Sequence, residues 1–408
     1  MQFKYPKNMP FPVNPSSLSF EKEGTEYYAK LYEKYKKELI ELTALLSKKR
    51  AQILEEGYRA DFGDMEAEFL YMLVRETTPD VVLEISPCHG YSTNYILAAL
   101  TRNENGRVIS YELTEETHGR KTKDVILGNL IEGVDKNRVE IVIGDVTKTS
   151  IPNCDIAFID SCHEAWFAAW YIQDVIPKAK LCFVHDIVVS QSKFLIPKAL
   201  TIGVRESYQL LHSLSVQGVS FASIAAIELI LEPKLRDGLT PRKGYPERSI
   251  IFPGFTCNSE ITAICAAQKQ LLELRHQVLL GDRIGAIKGI REIASLGSKD
   301  TYTRLSAYHI IAELGYRVSN MDMNLTDLLD DVKMAVSHEL GDVSTFVAAL
   351  ELGTKLNDDK LVSLAMKSAK KLKSDSTQYI NAQYRQNSMP FNRLVATGVR
   401  RLRKALRF

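Results

Sequence analysis

Between residues 81 and 184 the chain alternates short apolar runs with amphipathic stretches, and that alternation leaves few folds open. Apolar runs at 81–85, 107–113, 138–143, 155–159 and 180–184 have strand length and β-branched content. Helical periodicity fills 92–102, 115–132 and 165–176. Consecutive strands separated by helices must run parallel, because each crossover returns the chain to the same end of the sheet. Strands apolar on both faces are covered on both faces. The expected fold class is therefore α/β, a doubly wound, Rossmann-like, mostly parallel sheet. Further strands expected at 220–232 and 249–252 would close it with an antiparallel element.

The flanks read differently. Residues 1–19 form an irregular arm, and 21–56 carry a charged helical pattern with a narrow apolar stripe suited to packing or oligomerisation. A second helix is expected over 63–77. Beyond Pro253 no strand pattern recurs, and helical stretches of roughly 12 to 20 residues follow one another like stacked hairpins. The expected organisation is an arm and helix over 1–58, an α/β domain over 59–255, an all-α interaction domain over 256–390 and a basic amphipathic helix over 391–408.

Composition narrows the function classes. Across 408 residues, 52 basic and 50 acidic side chains nearly cancel, so no overall nucleic-acid signature is present. The six cysteines form no CxxC pair and sit mostly in apolar runs, which points to free thiols and a reducing compartment. The first twenty residues hold four prolines and no apolar core, so a signal peptide is not expected. No apolar run is long enough to span a bilayer. A cytoplasmic location is the expectation.

Chemistry gathers at the strand ends. The segment 81–93, VVLEISPCHGYST, is a buried strand ending in Glu84, followed by a small-residue loop that opens a helix. In open α/β sheets ligands bind beyond the carboxyl ends of the strands, where the strand order reverses. Small residues admit the ligand's backbone approach, and a helix start favours a negative group. The second strand ends in Glu112, 28 residues after Glu84, where a carboxylate can accept the protons of ribose hydroxyls. No basic cluster suits a 2′-phosphate and GxGxxG is absent, so NADP is not expected. Asp145 follows the third strand, Asp160 and His163 the fourth, and His185-Asp186 the fifth.

This set resembles class I S-adenosylmethionine-dependent methyltransferases, and its loop, read as ExSxxxGxST, is similar to their metal-dependent O-methyltransferase branch. The glycine positions of the commoner ExGxGxG pattern are Ser86, Cys88 and Gly90 here. The resemblance implies that Glu84, Ser86, Gly90, Ser92, Thr93, Glu112 and Asp145 bind S-adenosylmethionine, with Asp145 at the adenine. The spacing Asp160-x-x-His163, followed by His185-Asp186, resembles the sugar- and glycan-modifying group. It implies Mg²⁺ or another divalent cation on Asp160, His185 and Asp186, Asp160 and His163 as catalytic residues, and His163 as general base. Such a metal would lower the pKa of an acceptor hydroxyl, and a histidine can take its proton near neutrality. The alternative for His163 is a capping side chain at a helix start. Trp166 and Trp170, four apart, suit sheet packing better than sugar stacking.

The expected partners are a sugar, glycan or small-molecule hydroxyl acceptor, a protein partner on the helical domain and a second copy of the chain. The last segment, FNRLVATGVRRLRKALRF, has six basic and no acidic residues, and one apolar face, so peripheral membrane or glycolipid contact through 391–408 is a further expectation. Competing readings remain at this stage, among them a relative of the same fold doing other chemistry, such as metal-dependent hydroxylation of a small molecule. The others are a degenerate methyltransferase-fold scaffold that binds a protein and a catechol-like small-molecule O-methyltransferase.

Overall fold

A computed structural model describes residues 22–60, 62–162, 165–185, 188–191, 194–197, 222–223, 236–239, 249–280, 282–296 and 356–369, with positions 329, 332–333, 336, 349 and 352–353 between the last two segments. The seven main strands are β1 (Val81–Ile85), β2 (Arg107–Glu112), β3 (Val139–Ile143), β4 (Cys154–Ile159), β5 (Ala179–Val184), β6 (Ala222–Ser223) and β7 (Ile250–Pro253). They form one sheet in the order β3-β2-β1-β4-β5-β7-β6. The first five are mutually parallel, and β7 runs antiparallel to both neighbours. The chain builds outward from β1 through β2 and β3, then reverses to lay down β4 and β5. The switch point therefore lies between β1 and β4.

Alternation along each strand divides the core in two. Val82, Val108, Ile156, Phe158 and Phe183 face α1 (Lys22–Glu55), α2 (Asp64–Thr77) and α3 (Tyr91–Asn103). Leu83, Ile85, Ile109, Ala157, Ile159 and Val184 face α5 (Ala165–Asp174). A fully buried Leu or Ile contributes about 1.5–3 kcal/mol, so both faces are strongly held. The stripe on α1 is a packing face: Leu31, Tyr32, Tyr35, Leu39, Leu42, Leu46 and Ile53 join the same core as the sheet. Arg50 of α1 donates to the carbonyls of Ala60 and Phe62 and pairs with Asp64, fixing the turn into α2. Trp170 is buried and Trp166 packs beside it in the α5 layer, in keeping with the packing expectation.

Two stretches depart from the sequence expectation. The helix expected over 115–132 shrinks to α4 (Thr122–Gly128), because a small hairpin pairs Glu116–Thr117 with Arg120–Lys121. His118 and Gly119 turn it with φ of 51° and 73°, which no α-helix accommodates. A second hairpin, Val188–Gln191 with Phe194–Pro197, follows β5 where no strand was expected. After β7, α6 (Ser259–Leu280) packs against α5, and α7 (Arg283–Leu296) against α6; α8 (Asp359–Ala369) is helical as expected. The helices expected over 301–314 and the tail 391–408 lie outside the described residues. All six cysteines are free, and Cys154, Cys182 and Cys265 are buried. Among the described residues no helix is long and apolar enough to cross a membrane.

Candidate active site at the carboxyl edge of the sheet

The loop between β1 and α3 sits at the switch point. Ser86 N–H donates to the Tyr111 carbonyl at 2.8 Å, and Asp160 N–H donates to the Ile85 carbonyl at 3.2 Å, so the loop is tied to the strands on both sides. Ser86, Cys88 and Gly90 adopt φ of 70°, 55° and 88°. These are the three positions where the commoner motif has glycine. The left-handed backbone is therefore kept although two glycines are replaced, at about 1–2 kcal/mol for each non-glycine residue. Gly90 cannot be replaced so simply: a Cβ there would lie 3.2 Å from both Cγ2 and the carbonyl oxygen of Ile126. It starts α3 with no side-chain cap, leaving the amide end of the helix to serve an anionic group.

Glu84 is fully buried and accepts hydrogen bonds from Ser92 Oγ at 2.6 Å, Thr93 Oγ1 at 2.8 Å and Ser110 Oγ at 2.6 Å. Ser110 reaches it because Glu84 and Ser110 are register partners on β1 and β2. Burial raises the Glu84 pKa above the usual carboxylate value, and the three hydroxyl donors oppose that rise. Glu84, Ser92 and Thr93, all expected at the cofactor, thus form one network that locks β1, β2 and α3 together beneath the loop. Glu112 accepts from Cys88 N–H at 3.1 Å and from Leu113 N–H at 2.8 Å, which places its carboxylate against the loop. Asp145 lies beyond β3, accepting from Thr147 N–H at 3.0 Å and Thr147 Oγ1 at 2.7 Å. The Thr147 donors, with Lys148 nearby, hold its pKa below the usual carboxylate value.

The loop also has a support that the sequence reading missed. His89 Nδ1 accepts from Arg59 N–H at 2.8 Å, Nε2 lies 3.2 Å from Thr117 Oγ1, and the ring meets Tyr58 at a tilt, with centroids 4.9 Å apart. Burial pushes the neighbouring Cys88 thiol up to about 11.

On the other side of the switch point, Asp160 ends β4 and His185 ends β5. His185 Nδ1 is 2.8 Å from Asp160 Oδ1, and its Nε2 is 3.0 Å from Glu66 Oε2 on α2. The second Glu66 oxygen accepts from Ser249 Oγ at 2.5 Å. Phe62 covers the imidazole edge-on at 5.2 Å. Burial alone would lower the His185 pKa, but the two carboxylates outweigh it and hold it well above the ordinary histidine value. Two residues further along α2, fully buried Glu68 takes a two-pronged bond from Arg236, at 2.7 and 3.1 Å, and a 2.7 Å bond from Tyr32. Neither Glu66 nor Glu68 was singled out from the sequence. Their signal was two carboxylates inside the apolar run MEAEFLYMLV.

His163 and Asp186 lie outside the described residues. Of the three expected metal ligands, Asp160 and His185 are brought together, yet both ring nitrogens of His185 are engaged by carboxylates. Among the described residues no group of three or more His, Cys, Asp or Glu side chains is arranged to hold a metal ion. His185 as it stands therefore offers a cation no unengaged ring nitrogen.

Residues 83–187 match the family described as a methyltransferase domain. No curated protein matches the sequence. Among solved structures, the chain is similar to the O-methyltransferase from Bacillus cereus in complex with SAH, at 20% identity and a TM-score of 0.38, covering 56% of this chain and 99% of that one. It is also similar to the O-methyltransferase TomG from Streptomyces achromogenes, involved in tomaymycin synthesis and in complex with SAM, at 19% identity and a TM-score of 0.36, covering 52% of this chain and 90% of that one. The matched residues run from within β1 to just past β5, taking in the switch-point loop and the strand ends that bear Glu84, Glu112, Asp145, Asp160 and His185. Residues 83–187 thus match a methyltransferase-domain model on a Rossmann-like, mostly parallel sheet.

Proposed function

We propose that the chain transfers the methyl group of S-adenosylmethionine to a hydroxyl oxygen of a small-molecule acceptor of the sugar or glycan class. The observation that carries this reading is the placement of the carboxylates about the switch point. Glu112 and Asp145 stand on one side of the left-handed loop, and Asp160 with His185 on the other. A cofactor laid across the loop would meet Glu112 with its ribose hydroxyls and Asp145 with its adenine, leaving its methyl group toward β4 and β5. The acceptor class rests on the Asp160-x-x-His163 spacing.

In this proposal the acceptor oxygen attacks the methyl carbon in line with the sulfur. The new C–O bond forms as the C–S bond breaks, and the electron pair of that bond stays on sulfur, giving S-adenosylhomocysteine. The hydroxyl proton passes to His163 as general base. Holding nucleophile, carbon and sulfur in line is the larger part of the task. No step is routed through a metal; Asp160, His185 and Asp186 are the residues that would hold one.

The test is calorimetric titration with S-adenosylmethionine and S-adenosylhomocysteine, followed by a screen of sugars, glycans and cell extracts with a labelled methyl donor. Binding of both cofactor forms and label on a glycan hydroxyl are expected; absence of binding overturns the reading. His163→Ala should keep cofactor affinity and lower the rate by about 10²- to 10⁴-fold. An unchanged rate removes His163 from the role of base. For the rest of the chain, we propose a protein-binding role for 256–390, self-association, and surface contact with anionic lipid through 391–408. A chain ending at Pro390 should sediment less with anionic vesicles than the full chain.

A further inference from the structure

We infer that Glu66 is a positioning residue of the active site: its carboxylate holds His185, His185 holds Asp160, and this hydrogen-bonded chain does the orienting that a divalent cation would otherwise do at the acceptor edge. The inference rests on the reading above only in assigning Asp160 to the acceptor side.

Three observations support it. Glu66 is 2% exposed on a helix whose other inward side chains are mostly apolar, so its carboxylate needs partners to be tolerated there. It has them on both oxygens, His185 Nε2 on one and Ser249 Oγ on the other. An imidazole has only two nitrogens, and here each meets a different carboxylate. Making His185 a metal ligand would break one of those contacts. Lastly, Ile250 pairs with Val184, so Ser249 enters the sheet beside His185. Glu66 therefore grips the end of β5 and the start of β7 at once. The family match begins at residue 83, so this arrangement uses a group from outside it.

The experiment uses the full chain. Mn²⁺ is titrated calorimetrically into the unaltered protein, alone and with S-adenosylhomocysteine, and the ring protons of ¹⁵N-histidine-labelled protein are followed by NMR. The expected result is no stoichiometric Mn²⁺ binding, and low-field hydrogen-bonded ring-proton signals that His185→Gln removes and added Mn²⁺ leaves in place. Glu66→Gln should shift or abolish the Nε2 signal while S-adenosylhomocysteine affinity stays within about threefold. Stoichiometric Mn²⁺ binding that Asp160→Asn abolishes would overturn the inference, as would a Glu66→Gln spectrum identical to that of the unaltered protein. The Mn²⁺ titration needs no variant, so poor folding of Glu66→Gln does not shield the idea. Failure to bind S-adenosylhomocysteine would instead strike the methyltransferase reading, which the Mn²⁺ arm does not use.

Discussion

The two halves of the sheet edge hold their carboxylates by different means. On the β1–β2–β3 side, Glu84, Glu112 and Asp145 are held by hydroxyls and backbone amides from nearby in the chain. The partners of Glu84 lie 8, 9 and 26 positions away, and that of Asp145 only 2. On the other side, Glu66, Glu68 and Asp160 are held by an imidazole and a guanidinium, with the hydroxyls of Ser249 and Tyr32 added. His185 is 119 positions from Glu66, and Arg236 is 168 from Glu68. Local hydrogen bonds make a rigid cradle for a ligand of constant shape. Long-range charged contacts tie together segments that need not otherwise meet, and in the proposed reading they border the acceptor side.

The largest test of this contrast is Arg236→Ala, which leaves Glu68 buried with its charge unpaired. It should cost about 3–5 kcal/mol of unfolding free energy in urea titration. A loss below about 1 kcal/mol would mean that this contact does not hold the β7 side. On the cofactor side, Glu84→Ala strands three buried hydroxyls and should cost about 3 kcal/mol, with weakened cofactor binding because the loop loses its floor. If stability falls but calorimetric affinity does not, the network supports the fold and not the cradle.

Gly90→Ala comes next, at about 1–2 kcal/mol, because alanine resists this φ and meets Ile126. Its signature should be a larger relative loss in S-adenosylhomocysteine affinity than in melting temperature. Asp145→Ala should cost about 1 kcal/mol near neutrality through the lost turn cap. The sign with pH follows from its lowered pKa: the contribution is present above the unfolded value, near 3.8, and disappears as pH falls through the lower folded value. Stability curves of the two proteins should therefore converge in acid. The smallest effect is expected for Ser86→Gly or Cys88→Gly, where relief of left-handed strain and the added flexibility of glycine nearly cancel, within about 1 kcal/mol. A large loss at either site would show that the side chain, not the backbone, matters there.

Legibility followed the same division. The strands at 81–85 and 179–184 could be read from apolar runs, and the expected antiparallel closure appears as β7. Glu84, Ser92 and Thr93 could be singled out because they share one strand-to-helix segment, but their bonding to one another became visible only in the structure. The hairpin at 116–121 was not, since its turn uses His118 with a positive φ, a conformation that residue type does not announce. Glu66 was hidden because nothing in an α2 sequence names a partner that arrives with the end of β5.

The sequence by itself determined the alternation of strands and helices and the row of acidic residues at the strands' carboxyl ends, because period along the chain is a local property. The strand order that makes the switch point came with the tertiary structure. Only the tertiary structure decided how those acids are held. It showed the left-handed backbone surviving the loss of two glycines, and His185 joined to Glu66 and Asp160 at once. Such choices depend on which distant segments share the low-dielectric interior, where a buried charge must find a partner wherever in the chain that partner lies.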